Sequence, residues 1–162
     1  MAVEPSSLEL RRVGYDHPDA LALVEAVQAE FVVRYGSPDE TPLDRLMFEP
    51  PDGSFFVGYV DGVPVATGAW RRSTVKAFGT TRTAEVKRMY VEPGSRGSGV
   101  AAALLRALEQ AARGRGWTTV RLETGPAQPD AIRFYEREGY RPIPLYGVYV
   151  GSDLSLCYER AL

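Results

Sequence analysis

The chain has 162 residues, 44% of them hydrophobic and 25% charged, with a net charge of −2. That length suits one domain (1–162) with a real core, and the near balance of charge supplies no field for nucleic acid or an anionic membrane surface. The lone cysteine, Cys157, excludes an internal disulfide and fits a reducing compartment; Met1 to Leu10 has no apolar signal core and no apolar run reaches membrane-spanning length, so the expectation is a cytoplasmic protein.

Ser7 to Val13 alternates in part and predicts a first strand. Asp16 or His17 with Pro18 opens a helix whose apolar residues Leu21, Val24, Val27 and Phe31 fall at helical spacing, and Tyr35-Gly36-Ser37-Pro38 stops it. Thr41 before Pro42 predicts the cap of a short second helix with Leu43, Leu46 and Met47. Pro50-Pro51-Asp52-Gly53 is a break. Ser54 to Val60 and Val63 to Trp70 form strands around Asp61-Gly62, a hairpin signal. Ala84 to Val91 is a further strand. A helix carrying Leu104, Leu105 and Leu108 runs to Gly114-Arg115-Gly116. Thr118 to Glu123 is a strand, Asp130 to Glu138 a helix ending at Gly139, and Tyr140 to Ile143 and Leu154 to Tyr158 are closing strands. Hairpins beside a strand–helix–strand unit make a mixed α/β domain.

Between the strand ending at Val91 and the helix lies Glu92-Pro93-Gly94-Ser95-Arg96-Gly97-Ser98-Gly99-Val100-Ala101. A turn of small residues at a helix N-terminus leaves backbone amides for phosphate. A nucleotide P-loop needs Lys followed by Ser or Thr after the last glycine; Val100-Ala101 stands there instead. Gly97-Ser98-Gly99-Val100-Ala101-Ala102 imitates a dinucleotide fingerprint, and Glu123 even ends the next strand. Five residues intervene after the strand, however, and the successive strand–helix units of that fold are missing.

Arg96-Gly97-Ser98-Gly99-Val100-Ala101 resembles the R/Q-x-x-G-x-G/A signature of the GNAT superfamily of acyl-CoA N-acyltransferases. Glu85-Val86-Lys87-Arg88-Met89-Tyr90-Val91 is similar to that family's fourth strand. Gln128 to Tyr140, with Ala131-Ile132-Arg133-Phe134-Tyr135-Glu136 and Gly139-Tyr140, is similar to its second cofactor-binding element. Gln128 stands where the family often has Asn, and Ala101 where it often has Gly. The last strands resemble a bacterial, uncharacterised subgroup.

The resemblance implies a central mixed, mostly antiparallel sheet of about seven strands with four helices, splayed between strands four and five. It implies acetyl-CoA as cofactor, a small-molecule amine as acceptor, amino-acid-like or polyamine-like, and a homodimer; the alternative to an enzyme is a non-catalytic acyl-CoA-binding or sensor module. Coenzyme A then contacts Met89, Tyr90, Val91, Arg96, Gly97, Ser98, Gly99, Val100, Ala101, Gln128 and Tyr135. The Met89 amide faces the thioester carbonyl, and Met89 and Val91 pair with the pantetheine arm.

Acetyl transfer needs a base for the amine, a donor for the carbonyl oxygen and an acid for the thiolate. Glu85 falls at a catalytic glutamate of several family members, and Tyr135 at a tyrosine near the cofactor sulfur. Each has a bland alternative: an ion-paired strand residue beside Lys87 or Arg88, and a half-buried aromatic beside Phe134. Glu123 is either an acceptor contact, an alternative base, or a strand-end carboxylate with a structural partner. Arg34, Tyr35, Arg71, Arg72, Tyr146 and Tyr149 are candidates to reach the acceptor. Tyr140 and Cys157 read as core, and His17 as a helix-start residue. No His, Cys or Asp grouping has metal-ligand spacing.

Overall fold

A computed structural model describes residues 8–38, 45–73 and 82–162. The chain runs β1 (Leu8–Val13), α1 (Pro18–Tyr35), β2 (Gly53–Val60), β3 (Val63–Arg72), β4 (Thr83–Val91), α2 (Val100–Gly114), β5 (Thr119–Thr124), α3 (Pro129–Arg137), β6 (Arg141–Ile143) and β7 (Leu156–Ala161). The seven strands form one sheet in the order β1-β2-β3-β4-β5-β7-β6. Neighbours are antiparallel except β4 and β5, which run parallel.

Three α-helices stand among the described residues where four were expected. Thr41 to Leu43, the predicted start of the second helix, lie outside those residues. Arg45–Phe48 forms only a single 3₁₀ turn. Pro50 and Pro51 bar its continuation, since proline lacks the amide donor and its predecessor avoids the helical region. The last strand also sits later than expected: pairing with Thr119–Thr124 carries β7 to Ala161.

Helix α1 covers one face of the sheet. Ala20, Leu23, Val24 and Val27 meet Phe55, Val57, Tyr59, Ala69 and Tyr90. Leu21, expected to face inward, is 47% exposed. The buried stripe begins at Ala20, and the next residue along a helix lies about 100° away from it. His17 caps this helix: its Nδ1 accepts from the Asp19 amide at 3.1 Å.

On the other face, Leu105, Leu108 and Ala112 of α2 and Tyr135 of α3 pack on Trp70, Ala84, Val86, Val120 and Leu122. Leu104, Leu105 and Leu108 are at most 1% exposed, each contributing roughly 1.5–3 kcal/mol of burial. Glu109 is buried among them, because Arg160 Nη1 donates to both its oxygens at 3.0 Å, Tyr140 Oη donates at 2.8 Å, and Arg106 closes the group. Tyr140 is core, as its position implied, and its ring lies 5.8 Å from that of Tyr135. The Glu109 network therefore props Tyr135 from behind.

Candidate active site

Strands β4 and β5 pair only from Thr83↔Thr119 to Val86↔Leu122. Beyond Leu122, β5 stays paired with β7, through Glu123↔Cys157 and Thr124↔Leu156. The upper half of β4 therefore has an open edge. A bulge marks the parting: the β3–β4 register slips between Thr67 and Ala69, and Arg88 takes φ +55°. A left-handed arginine costs on the order of 1–2 kcal/mol. Gly68 opposite makes the bulge fit, since a Cβ there would lie 2.7 Å from Met89 Sδ and 3.0 Å from Leu108 Cδ1.

The direction of the β4 backbone groups follows from alternation along a strand. The Glu92 amide donates to Val65 O at 2.8 Å, toward β3. The Arg88 carbonyl also points that way, accepting from Thr67 Oγ1 at 2.7 Å. Tyr90 falls in the same phase, so the amides of Met89 and Val91 face the open gap. The Val91 carbonyl agrees with this phase, because it accepts from Arg96 Nε on the gap side at 2.8 Å.

The gap opens into a groove of about 690 Å³. Met89, Tyr90, Val91, Arg96, Gly97, Gly99, Ala101, Gln128 and Tyr135, all expected at the cofactor, line it. So does Arg34, expected at the acceptor. Ser98 and Val100, also expected at the cofactor, are not among the groove's lining residues. The Ser98 hydroxyl donates to the Ser95 carbonyl, and the Val100 side chain is 1% exposed in the core.

At one end of the groove lies the glycine turn. Gly97 and Gly99 have φ of +78° and +89°, with open space where a Cβ would stand. Glycine is thus required for backbone conformation, not for lack of room. Helix α2 begins at Gly99 with no side-chain cap, and the first amide in that turn to find a carbonyl is that of Ala103, bonded to Gly99 O at 3.1 Å. The amides of residues 97–102 donate to no group among the described residues. Unpaired amides at a helix N-terminus suit a diphosphate, so this part of the chain fits coenzyme A. Arg96 lines the groove, but its own polar groups are engaged within the protein. Its amide donates to Pro93 O at 3.3 Å, and its guanidinium reaches Glu30 Oε2 at 2.7 Å.

Glu30 is a site residue that the sequence reading misses. It takes Arg96 and, at 3.0 Å, Arg34; Arg34 in turn donates to the Ala127 carbonyl at 3.0 Å. Tyr35 Oη accepts from Gln128 Nε2 at 3.1 Å. The C-terminal part of α1 thus bridges the glycine turn and the loop before α3. Burial opposes ionisation of Glu30, but the two arginines outweigh it and hold its carboxyl below the ordinary value. The i,i+4 spacing of Glu30 and Arg34 signals a pair within the helix; nothing local announces Arg96.

Tyr135 lines the far wall of the groove, 7% exposed. Burial, and then the charge of Glu123, push its hydroxyl far above the usual phenol value. It stays protonated, a hydrogen-bond donor at every physiological pH. Cys157 is buried, and burial pushes its thiol up to about 11, which suits core packing.

Glu85 does not line the groove. It lies on the α1 face of β4, 2% exposed, with Arg71 Nη2 3.5 Å and Lys87 Nζ 3.3 Å from its Oε1. Tyr146 and Tyr149 are buried in a neighbouring cluster; Lys87 donates to Tyr149 Oη at 2.5 Å, and both Glu85 and Glu123 act electrostatically on Tyr146. Arg72 is not part of this cluster. It is exposed, pairs with Asp52 at 3.2 Å and stacks on Trp117, because alternation along β3 turns it away from its neighbour Arg71.

A sheet parted between two parallel strands, with a glycine-rich helix N-terminus at the mouth of the gap, is the architecture of acyl-CoA N-acyltransferases. A structure of this description from Klebsiella pneumoniae superposes with a TM-score of 0.78 at 29% identity, covering 96% of this chain and 97% of that one. The PaiA N-acetyltransferase of Thermoplasma acidophilum, solved with coenzyme A, shares the fold with a TM-score of 0.70 at 15% identity, covering 96% of this chain and 99% of that one. Residues 21–140 match the acetyltransferase (GNAT) family. The chain belongs to that family and is of the N-acetyltransferase class. Among curated relatives, the IAA acetyltransferase of Azospirillum brasilense is 35% identical over 120 residues, 74% of this chain and 75% of that protein. The human N-acetylaspartate synthetase is 32% identical over 120 residues, 73% of this chain but only 38% of its own length. No helix among the described residues is long and apolar enough to cross a membrane.

Proposed function

We propose that the protein transfers an acetyl group from acetyl-CoA to the primary amine of a small molecule, by direct attack in a ternary complex. The observation that carries this reading is the open edge of β4, with the amides of Met89 and Val91 facing a groove that runs from the unpaired amides of 97–102 to Tyr135.

Coenzyme A would lay its diphosphate on the glycine turn and its pantetheine arm along β4, as an added strand does. When bound, it supplies the activated acetyl thioester. The Met89 amide then donates to the carbonyl oxygen as negative charge gathers there, a contribution of roughly 3–4 kcal/mol for one well-placed donor. The amine nitrogen forms its bond to the acetyl carbon as the carbon–sulfur bond breaks. The amine's proton passes to Glu85, directly or through water, and the thiolate accepts a hydrogen bond and finally a proton. Tyr135 is the donor at hand. Its raised pKa keeps it protonated, so it donates a hydrogen bond to the departing thiolate, which takes its proton from solvent. The parting of the strands joins the two faces of the sheet, so the acceptor approaches from the α1 side.

Free-thiol release from acetyl-CoA with a panel of amines tests this reading. Amine-dependent release above hydrolysis supports it. Release that no amine accelerates, with no thermal shift on adding acetyl-CoA, would sink it. A saturating ligand at about a hundredfold its Kd stabilises by about 2.7 kcal/mol, which such a shift detects easily.

A further inference from the structure

On the α1 side of β4, away from Tyr135, the polar cluster around Glu85 is built but incomplete. Arg71 and Lys87 both approach the same oxygen, Glu85 Oε1. Arg121 is fully buried, its guanidinium 5.8 Å from the Tyr146 ring, and shares Glu159 with Arg141. Glu123 is the remaining carboxylate that acts on Tyr146.

Among the described residues, Arg71 Nε and Tyr146 Oη of this cluster are buried with no hydrogen-bond partner. Tyr146 is 2% exposed and the Arg71 side chain 17%. The other contacts of Arg71 are weak: the 3.5 Å approach to Glu85 and a 3.7 Å contact to Met47 Sδ. An unsatisfied buried donor costs about 1–3 kcal/mol, more when charged, and native proteins keep few without a reason. The enclosed cations Arg71, Lys87 and Arg121 match Glu85, Glu123 and Glu159 in number, Arg141 being 77% exposed. At Glu85, however, Arg71 and Lys87 share a single carboxylate oxygen, and two enclosed cations on one carboxylate favour a further anion.

We infer that this cluster is the acceptor's head-group subsite, and that it selects an amine carrying a carboxylate. The carboxylate lies between Arg71 and Tyr146, and the amine is directed toward Glu85. The inference rests on the acetyl-transfer reading above. Arginine offers a carboxylate two parallel donors, and the Tyr146 hydroxyl supplies a further one. Position agrees with chemistry. The last β4–β5 pair is Val86↔Leu122, so Glu85 and Lys87 flank the point where the strands part. A polyamine would instead bring a second ammonium beside Arg71 and Lys87, which already share the Glu85 carboxylate.

The test compares amino acids with their decarboxylated amines: phenylalanine with phenethylamine, alanine with ethylamine, and lysine with cadaverine. Thiol release gives kcat/KM for each. The amino acid should be favoured roughly tenfold or more in the best pair. R71Q should bring that ratio close to one, chiefly by raising KM for the amino acid. Should R71Q fail to fold, judged by loss of its acetyl-CoA thermal shift, Y146F carries the same readout with a smaller change. Equal use of both members in every pair, or a preference for cadaverine, overturns the carboxylate subsite while acetyl transfer stands. If no amine accelerates thiol release and acetyl-CoA causes no thermal shift, the underlying reading falls, and this inference with it.

Discussion

Between Glu92 and Ala102 the groove offers backbone; between Arg71 and Tyr149 the opposite face of β4 offers side chains. The first region depends on two left-handed glycines, an uncapped helix end and a strand edge. The second depends on a guanidinium, an ammonium, a carboxylate and two phenols drawn from three separate parts of the chain. The backbone geometry of the glycine turn is dictated by local sequence, so it can serve one cofactor. Side chains at register positions can be exchanged singly, so they can serve whichever acceptor a given chain selects.

If this division is right, substitutions on the two faces should separate cofactor binding from catalysis. Tyr135→Phe removes the only hydroxyl proposed for the thiolate. Turnover should fall on the order of a hundredfold, with acetyl-CoA affinity by calorimetry unchanged. Unaltered turnover would remove Tyr135 from the chemistry. Gly99→Val forces a branched side chain into a left-handed conformation and tilts the first amides of α2. The Kd for acetyl-CoA should rise about tenfold or more, and an unchanged Kd would mean that the turn does not hold the cofactor.

Glu85→Gln sharpens the other side. Acetyl-CoA binding should persist while kcat falls about tenfold or more at neutral pH. The deficit should shrink in alkali, where free amine is abundant. A loss equal at all pH values would make Glu85 a purely structural partner of Arg71 and Lys87.

The smallest effect belongs to the bridge across the groove. The Glu30 carboxyl is held below its ordinary 4.5 in the folded state. Its ion pairs thus stabilise the fold above that value, and the contribution disappears as pH falls through the lowered folded value. The side chain is 23% exposed, so solvent screening keeps the effect below about 1 kcal/mol. Thermal melts of Glu30→Gln and the wild type should differ slightly at neutral pH and converge in acid. A gap that persists in acid would assign the difference to packing.

Sequence and structure agree best where the signal is local. The spacing of Gly97 and Gly99 after the strand end locates the turn with unpaired amides at the start of α2, and Leu104, Leu105 and Leu108 locate the inner face of α2. The bulge at Arg88 is invisible, because nothing in Lys87-Arg88-Met89 demands a left-handed residue; the room for it comes from Gly68 on the neighbouring strand. Leu21 misleads because several stripes on α1 are apolar and only docking on the sheet selects one. Arg71 and Arg72 look equivalent until strand alternation sends one to Glu85 and the other to Asp52. Glu30 meets Arg96 across 66 residues of chain, a contact that no periodicity announces.

A crystal structure of the protein with coenzyme A is the most direct test of cofactor placement, on which the proposed chemistry depends. The diphosphate oxygens should lie within hydrogen-bond distance of the amides of residues 97–102, the pantetheine along Met89 and Val91, and the sulfur beside Tyr135. A diphosphate bound elsewhere, with the glycine turn bare, would contradict that placement.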